Sequence, residues 1–309
     1  MLWKGRRQSD NIEDRRSESG GGFGGGPGGG DPFGQGGFRI PIGRAGGGGI
    51  KGIIILVILF FVLRFLGIDP MQILGQGGPV SNGGGVVAQQ GSVPGDDEMK
   101  QFVATVLAET EDTWTGIFQS QGLTYKDPTL VLFSGSYPGG CGMAQKAMGP
   151  FYCPNDQTIY LDTSFFDELQ QKYGASGDFA QDYVIAHEFG HHIQQLLGTS
   201  EKVQREMQQS RPAQANALSV RLELQADCYA GVWAGLNRDR MDPGDLQEGL
   251  TAAHAIGDDT LQKEAQGRVV PDSFTHGTSA ERMAWLKRGI DTADPGKCDT
   301  FSGPVDIAG

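Results

Sequence analysis

Val184-Ile185-Ala186-His187-Glu188-Phe189-Gly190-His191-His192 is an H-E-x-x-H sequence set inside a segment of apolar periodicity. On an α-helix, residues four apart differ by only ~40° around the axis, so His187 and His191 project one turn apart from the same face. That spacing lets two imidazoles ligate one zinc ion. Glu188 is offset by ~100° from His187, which sets its carboxylate beside the open position of the metal and makes it a candidate base, not a ligand. Three fixed residues also arise by chance on ordinary helices, so the flanks matter. Asp178 and Gln181 are spaced as a capping pair before the segment, and Gly198 follows Leu197 where a left-handed glycine ends a helix. The motif therefore falls well inside a helix. His192 points ~100° away from His191 and reads as a supporting or surface histidine.

A catalytic zinc takes three protein ligands and keeps a fourth position for water, so one more ligand lies elsewhere. The extended metzincin pattern needs glycine at position 194 and histidine at position 197; Gln194 and Leu197 exclude it. With only five histidines in the chain, at 187, 191, 192, 254 and 276, a carboxylate is the expected third ligand. The stretch from Ala215 to Asn237 has no proline and carries Leu218, Leu222, Leu224, Ala226, Ala230, Val232 and Trp233, the pattern of a largely buried helix. Glu223 and Asp227 stand four apart within it. Buried carboxylates are costly without a partner, which points to Glu223 as the third ligand and Asp227 as the carboxylate that orients a ligating imidazole. The plainer alternative is a pair of solvated acids on an amphipathic helix.

Four blocks together carry a family resemblance: G-P-F-Y-C-P-N-D-Q-T-I-Y-L-D from Gly149, H-E-F-G-H-H from His187, E-L-Q-A-D-C-Y-A-G-V-W from Glu223 and H-G-T-S-A-E-R-M-A-W from His276. The chain resembles the YpfJ-like neutral zinc metallopeptidase family of bacteria. The resemblance implies a membrane-anchored, gluzincin-like metallopeptidase domain of zincin type, with His187, His191 and Glu223 at the ligand positions and Glu188 at the catalytic one. It supplies no substrate. A similar E-x-x-x-D element with a later H-P-x-x-x-x-R occurs in HtpX-type membrane peptidases. The counterpart here runs from His276 to Arg282, with Gly277 in place of the proline. Thr278 and Glu281 form a capping box, so His276 lies just outside a helix N-terminus. It is either a donor to a developing oxyanion or a surface loop histidine. Arg282, one turn into that helix, is placed to pair with Asp227 or another buried acid. His254 reads as an ordinary helix residue.

Zinc held by two imidazoles and a carboxylate lowers the pKa of its water toward ~7, and Glu188 would take the water proton and pass it to the leaving amine. Thr129–Phe133 and Gln157–Asp162 read as strands, and the 158–162 strand is expected to be the sheet edge to which an extended substrate adds. Its alternative is an interior strand packed on the metal helix. A first helix is expected over Glu98–Gln121, with Phe102, Val103, Val106, Leu107, Trp114 and Phe118 on its core side. The fold class is therefore α+β, with a small sheet and the H-E-x-x-H helix in a domain over 97–302 and a short tail over 303–309.

The first hundred residues are poor material for a core. Glycine fills more than half of the positions from Gly20 to Ile50, and residues 1–50 are expected to be a disordered tail. Gly52 to Ile68 is an apolar run interrupted only by Arg64, close to the lower limit of about 17–25 residues for a bilayer span. A single transmembrane helix over 51–68 follows, then a flexible linker over 69–96. A cleaved signal peptide fits poorly, because the run starts so far in and no small-residue cleavage site follows it. Basic residues crowd the N-terminal flank and none lies between Phe65 and Met99, so the N-terminus is expected in the cytoplasm and the domain in the periplasm or outside a bacterial inner membrane.

The chain carries 25 basic and 37 acidic residues, a net charge of −12. An acidic domain argues against nucleic acid as a partner; protein or peptide is the expected substrate. The four cysteines, 141, 153, 228 and 298, all follow the apolar run, as exported disulfides would. Of three possible pairings, Cys141 with Cys153 and Cys228 with Cys298 is preferred: the first closes a compact Gly-rich loop, the second ties the chain's end to the Glu223 helix. Two functional classes follow, a zinc peptidase acting on extracytoplasmic or membrane-associated proteins, and a non-catalytic envelope scaffold that keeps the fold. The presence of a base at Glu188 favours the first, since a scaffold needs none.

Overall fold

A computed structural model of the chain describes residues 1–18 and 94–306. The expected transmembrane segment over 51–68, most of the glycine-rich tail and most of the linker lie outside the described residues. Among those described, no helix is long and apolar enough to cross a membrane.

The centre of the sheet forms from two short apolar runs. Strand β2 (Thr129–Phe133) and strand β6 (Thr158–Asp162) pair in parallel, Leu130 opposite Ile159 and Leu132 opposite Leu161. All five residues of β6 are buried. A strand covered on both faces needs apolar side chains on both, which is why its centre, Ile159-Tyr160-Leu161, is apolar without alternation. Strand β5 (Phe151–Cys153) pairs antiparallel with β6, and strand β1 (Ile12–Asp14) lies parallel along the other side of β2, giving the order β1-β2-β6-β5. The 158–162 strand is thus interior, and the expectation that it forms the sheet edge is corrected: β5 is the edge on that side. A separate hairpin joins β3 (Ser136–Gly139) to β4 (Gly142–Gln145). The Cys141–Cys153 disulfide fastens its turn to β5.

Eight α-helices complete the described fold. Helix α1 (Pro94–Ser120) starts slightly earlier than expected, and Phe102, Val103, Val106, Leu107, Trp114 and Phe118 are buried as their spacing requires. Helices α2 (Ser164–Tyr173), α3 (Asp178–Leu196) and α4 (Thr199–Gln208) follow the sheet. Helix α5 (Pro212–Leu236) has every residue from Leu224 to Ala234 buried. Helices α6 (Asp245–Ala255), α7 (Asp258–Gln266) and α8 (Ser279–Thr292) close the domain. The expected cap at Asp178 is replaced: Gly177, in a left-handed conformation, is the N-cap, and the Asp178 carboxylate accepts from the Met1 amine. The Thr278–Glu281 capping box is present at the start of α8.

Backbones approach where glycine allows it. A Cβ on Gly231 would fall 2.2 Å from the Leu286 carbonyl oxygen, and one on Gly289 2.1 Å from that of Cys228. Helices α5 and α8 therefore touch through their main chains, and the Cys228–Cys298 disulfide closes beside this contact. Both cysteine pairings match the preferred ones.

Residues 1–18 differ from expectation. They are part of the domain, not the start of a disordered tail. Beyond the β1 ladder, the Ser9 amide donates to the Ala104 carbonyl. The Ser9 hydroxyl and the Asn11 side-chain amide both donate to Glu111 Oε1, at 2.6 and 2.9 Å, and Arg7 donates to Glu111 Oε2 and the Ala108 carbonyl. Met1, Trp3 and Ile12 bring apolar surface, Trp3 edge-on to Phe102, but their spacing follows no helical or strand period; acids and carbonyls of α1 supply most of the remaining partners.

Removing residues 1–18 would strip the buried Glu111 carboxylate of these donors, a loss of at least about 2 kcal/mol. The urea unfolding midpoint of the shortened chain should fall accordingly. An unchanged midpoint would show that the segment contributes nothing to the fold.

Candidate metal centre

Helix α3 presents His187 and His191 from one face, as their spacing dictates, with ring centroids 4.9 Å apart. Helix α5 crosses it at Gly190, inside the motif itself: a Cβ there would lie 2.9 Å from the Ala226 carbonyl oxygen. A larger residue would hold the two helices apart. The close crossing brings Glu223 to the histidines, with Oε2 3.2 Å from His187 Nε2 and Oε1 3.5 Å from His191 Nε2. The ligand atoms of His187, His191 and Glu223 all lie within 4.8 Å of one another, a donor set of two nitrogens and one carboxylate that fits a zinc ion.

The far nitrogens are held as metal ligation requires. His187 Nδ1 lies 2.8 Å from Asp227 Oδ1, and a carboxylate can only accept, so this nitrogen carries a proton and Nε2 is the one turned to Glu223. His191 Nδ1 lies 2.9 Å from Gln194 Oε1, while the Gln194 amide donates to the Leu222 carbonyl of α5. Asp227 itself is fully buried and is held by the Arg282 guanidinium through Nε and Nη2, both at 2.9 Å, and by the Tyr183 hydroxyl at 2.6 Å. Asp227 and Arg282, both named from the sequence, thus stand together behind His187. Gln194 and Tyr183 were not singled out from the sequence, though Tyr183 stands one turn before His187 on the same face.

Electrostatics follow from this burial. Burial works against a charged His187, but Asp227 and Glu223 outweigh it and push its pKa up to about 10. Burial works against the carboxylates too, yet His191 and His187 hold Glu223 well below the usual range, and Arg282 with His187 holds Asp227 down to about 2. Burial lowers the pKa of His192 to about 4, and its ring is engaged by the Tyr152 hydroxyl and the Lys126 carbonyl, away from the ligand set. His254 is exposed on α6.

The centre opens on a cleft of about 700 Å³. Glu188, His276 and Arg282 line it with the three ligands, and Phe151 and Tyr152 of β5 form part of its wall. His276 is half exposed, in the loop just before α8. Gly277 has φ of +93°, a conformation closed to the proline of the HtpX-type pattern, whose ring locks φ near −65°. That departure is therefore built into the loop. The loop rests on Asp258, which the sequence did not flag. Its Oδ2 accepts the amides of Thr275 and His276 at 2.7 Å and of Gly277 at 3.2 Å, and its Oδ1 lies 3.2 Å from His276 Nδ1.

An α+β domain whose buried helix pair converges two imidazoles and a carboxylate beneath an open cleft has a donor set that fits a single metal ion. Comparison with known proteins places it more closely: residues 1–301 match the family model described as "Putative neutral zinc metallopeptidase", and the chain belongs to that family. It is 50% identical over 307 residues to the uncharacterized protein YpfJ of Escherichia coli (strain K12), covering 97% of this chain and 99% of that one. It is 38% identical over 264 residues to an uncharacterized protein of Mycobacterium tuberculosis (strain ATCC 25618 / H37Rv), covering 77% of this chain and 84% of the relative. No solved structure matches the chain.

The raised His187 pKa sets the pH dependence of zinc uptake. Its proton favours the metal-free fold fully below about 6.5, and this contribution is lost as pH rises through about 10. Zinc must displace that proton, so apparent affinity should rise with pH through this window by about tenfold per unit for each proton released. Calorimetry at pH 8 in buffers of different ionisation heat should detect the release; zinc uptake without it would contradict the assigned ligand.

Proposed function

We propose that the chain is a zinc-dependent peptidase. The observation that carries this reading is the convergence of His187 Nε2, His191 Nε2 and the Glu223 carboxylate beside a second, unligated carboxylate, Glu188, at the cleft. Zinc in this donor set would supply Lewis-acid polarisation of a scissile carbonyl and an acidified water. Glu188 takes the water proton and returns it to the leaving amine. The Asp227–Arg282–Tyr183 cluster keeps the His187 ring in place during turnover, and Gln194 does the same for His191. His276, at the cleft wall, would donate to the oxyanion that develops at the carbonyl oxygen.

The substrate is a protein or peptide in extended form. β5 ends the described sheet, and its Phe151 and Tyr152 line the cleft, so a substrate strand would add there rather than at β6. Two disulfides suit an oxidising compartment, and the apolar sequence 52–68 is the segment that would attach the domain to a membrane. Extracytoplasmic or membrane-associated proteins are then the substrates within reach.

Glu188→Gln should keep stoichiometric zinc while cutting turnover of an unfolded protein substrate by about 10²–10⁴-fold, read by cleavage profiling beside metal analysis. Zinc-loaded wild type that cuts nothing in a diverse peptide library, or a variant as fast as wild type, would overturn the proposal.

A further inference from the structure

We propose that Asp258 is a positioning residue that holds His276 for its work at the metal centre; this rests on the peptidase reading. The start of α7 is pressed against the start of α8, since a Cβ on Gly257 would lie 2.4 Å from the Ser279 amide nitrogen. That contact sets Asp258 beneath the 275–277 loop. One oxygen, Oδ2, satisfies three consecutive backbone amides. A carboxylate that only stapled the loop would need nothing more. The other oxygen, Oδ1, faces His276 Nδ1 instead, with the Thr275 hydroxyl 3.1 Å from the same nitrogen.

A carboxylate on Nδ1 fixes the ring and favours its doubly protonated form, so Nε2, on the opposite edge of the imidazole, keeps a proton to donate. His276 lines the cleft with Glu188 and the ligands, whereas Asp258 is buried and does not line it. Asp258 therefore acts through His276 and not on substrate. The same logic holds His187 on Asp227, so carboxylates from two different helices hold the two imidazoles.

The test uses the zinc-loaded full chain and two probes, a peptide phosphonamidate that carries a tetrahedral anion and a product-like peptide carboxylate. Asp258→Asn and His276→Ala should each weaken phosphonamidate binding about 10–100-fold with zinc content and product binding unchanged, and the double variant should lose no more than His276→Ala alone. Additive losses, or equal losses for both probes, overturn the inference. If Asp258→Asn does not fold, the Nδ1 proton of His276 in wild type decides: a downfield, slowly exchanging resonance supports the assignment and its absence overturns it. Failure of the wild type to bind the phosphonamidate at all would instead remove the peptidase reading, and this inference with it.

A separate observation carries a second inference. We infer that residues 1–18 and 94–306 stand on the same side of any membrane the chain meets. The β1–β2 ladder and the Ser9, Asn11 and Arg7 bonds to α1 cannot be made through a hydrocarbon layer about 30 Å thick. The arrangement expected from the flanking charges, with the N-terminus on one side and the domain on the other, is incompatible with this packing.

Single cysteines at Gln8 and Gln119, both exposed, test it in intact bacterial cells with a membrane-impermeant maleimide. Both sites labelled, or both protected until lysis, is the expected result. Labelling of one without the other overturns the inference.

Discussion

The fully buried Asp227 carboxylate is the interaction on which the centre depends. It takes donors from two helices, Tyr183 and His187 of α3 and Arg282 of α8, while it is itself anchored on a third, α5. A charge in such surroundings is tolerable only when its lone pairs are filled and a counter-charge is in contact, so the three helices cannot shift independently without stranding it. Stability and chemistry share this constraint. The contact that neutralises Asp227 also fixes the ring of a metal ligand.

Glycine makes the arrangement possible. Gly190 lets α3 touch α5 beside Ala226, and the Gly231–Gly289 contact lets α8 touch α5 about two turns beyond Glu223. The ligand from one helix and the orienting groups from two others then meet within hydrogen-bond range. The Cys228–Cys298 disulfide adds a covalent tie next to Asp227, from the turn that follows α8. The cleft is left open on the side of β5, where Phe151 and Tyr152 offer apolar surface next to a free strand edge of the described sheet.

How far the site could be read in advance depended on whether its partners were neighbours in helical register. His187, Glu188 and His191 share one helix, and Glu223 with Asp227 share another, so periodicity alone placed each group on a face. The Thr278–Glu281 capping box was likewise local, whereas Arg282 reaches a partner on another helix, Asp227. Asp258 was invisible because its four partners lie seventeen to nineteen residues away across a loop, with no periodicity to link them. Residues 1–18 were misread for a related reason: polar atoms, not apolar spacing, hold them to α1. The edge role was assigned to 158–162 because β-propensity marks a strand and says nothing of its neighbours; burial of all five residues shows two flanking strands.

The sequence by itself determined the α+β class and the helical faces that carry His187, Glu188 and His191 and, on another helix, Glu223 and Asp227, because a helix turns spacing into direction without help from the rest of the chain. Only the tertiary structure decided which strand faces the cleft, that Asp258 supports His276, and that the N-terminal residues belong to the domain. Those outcomes rest on contacts between distant segments, where close approach and hydrogen-bond satisfaction select the partner and local pattern carries no information about it.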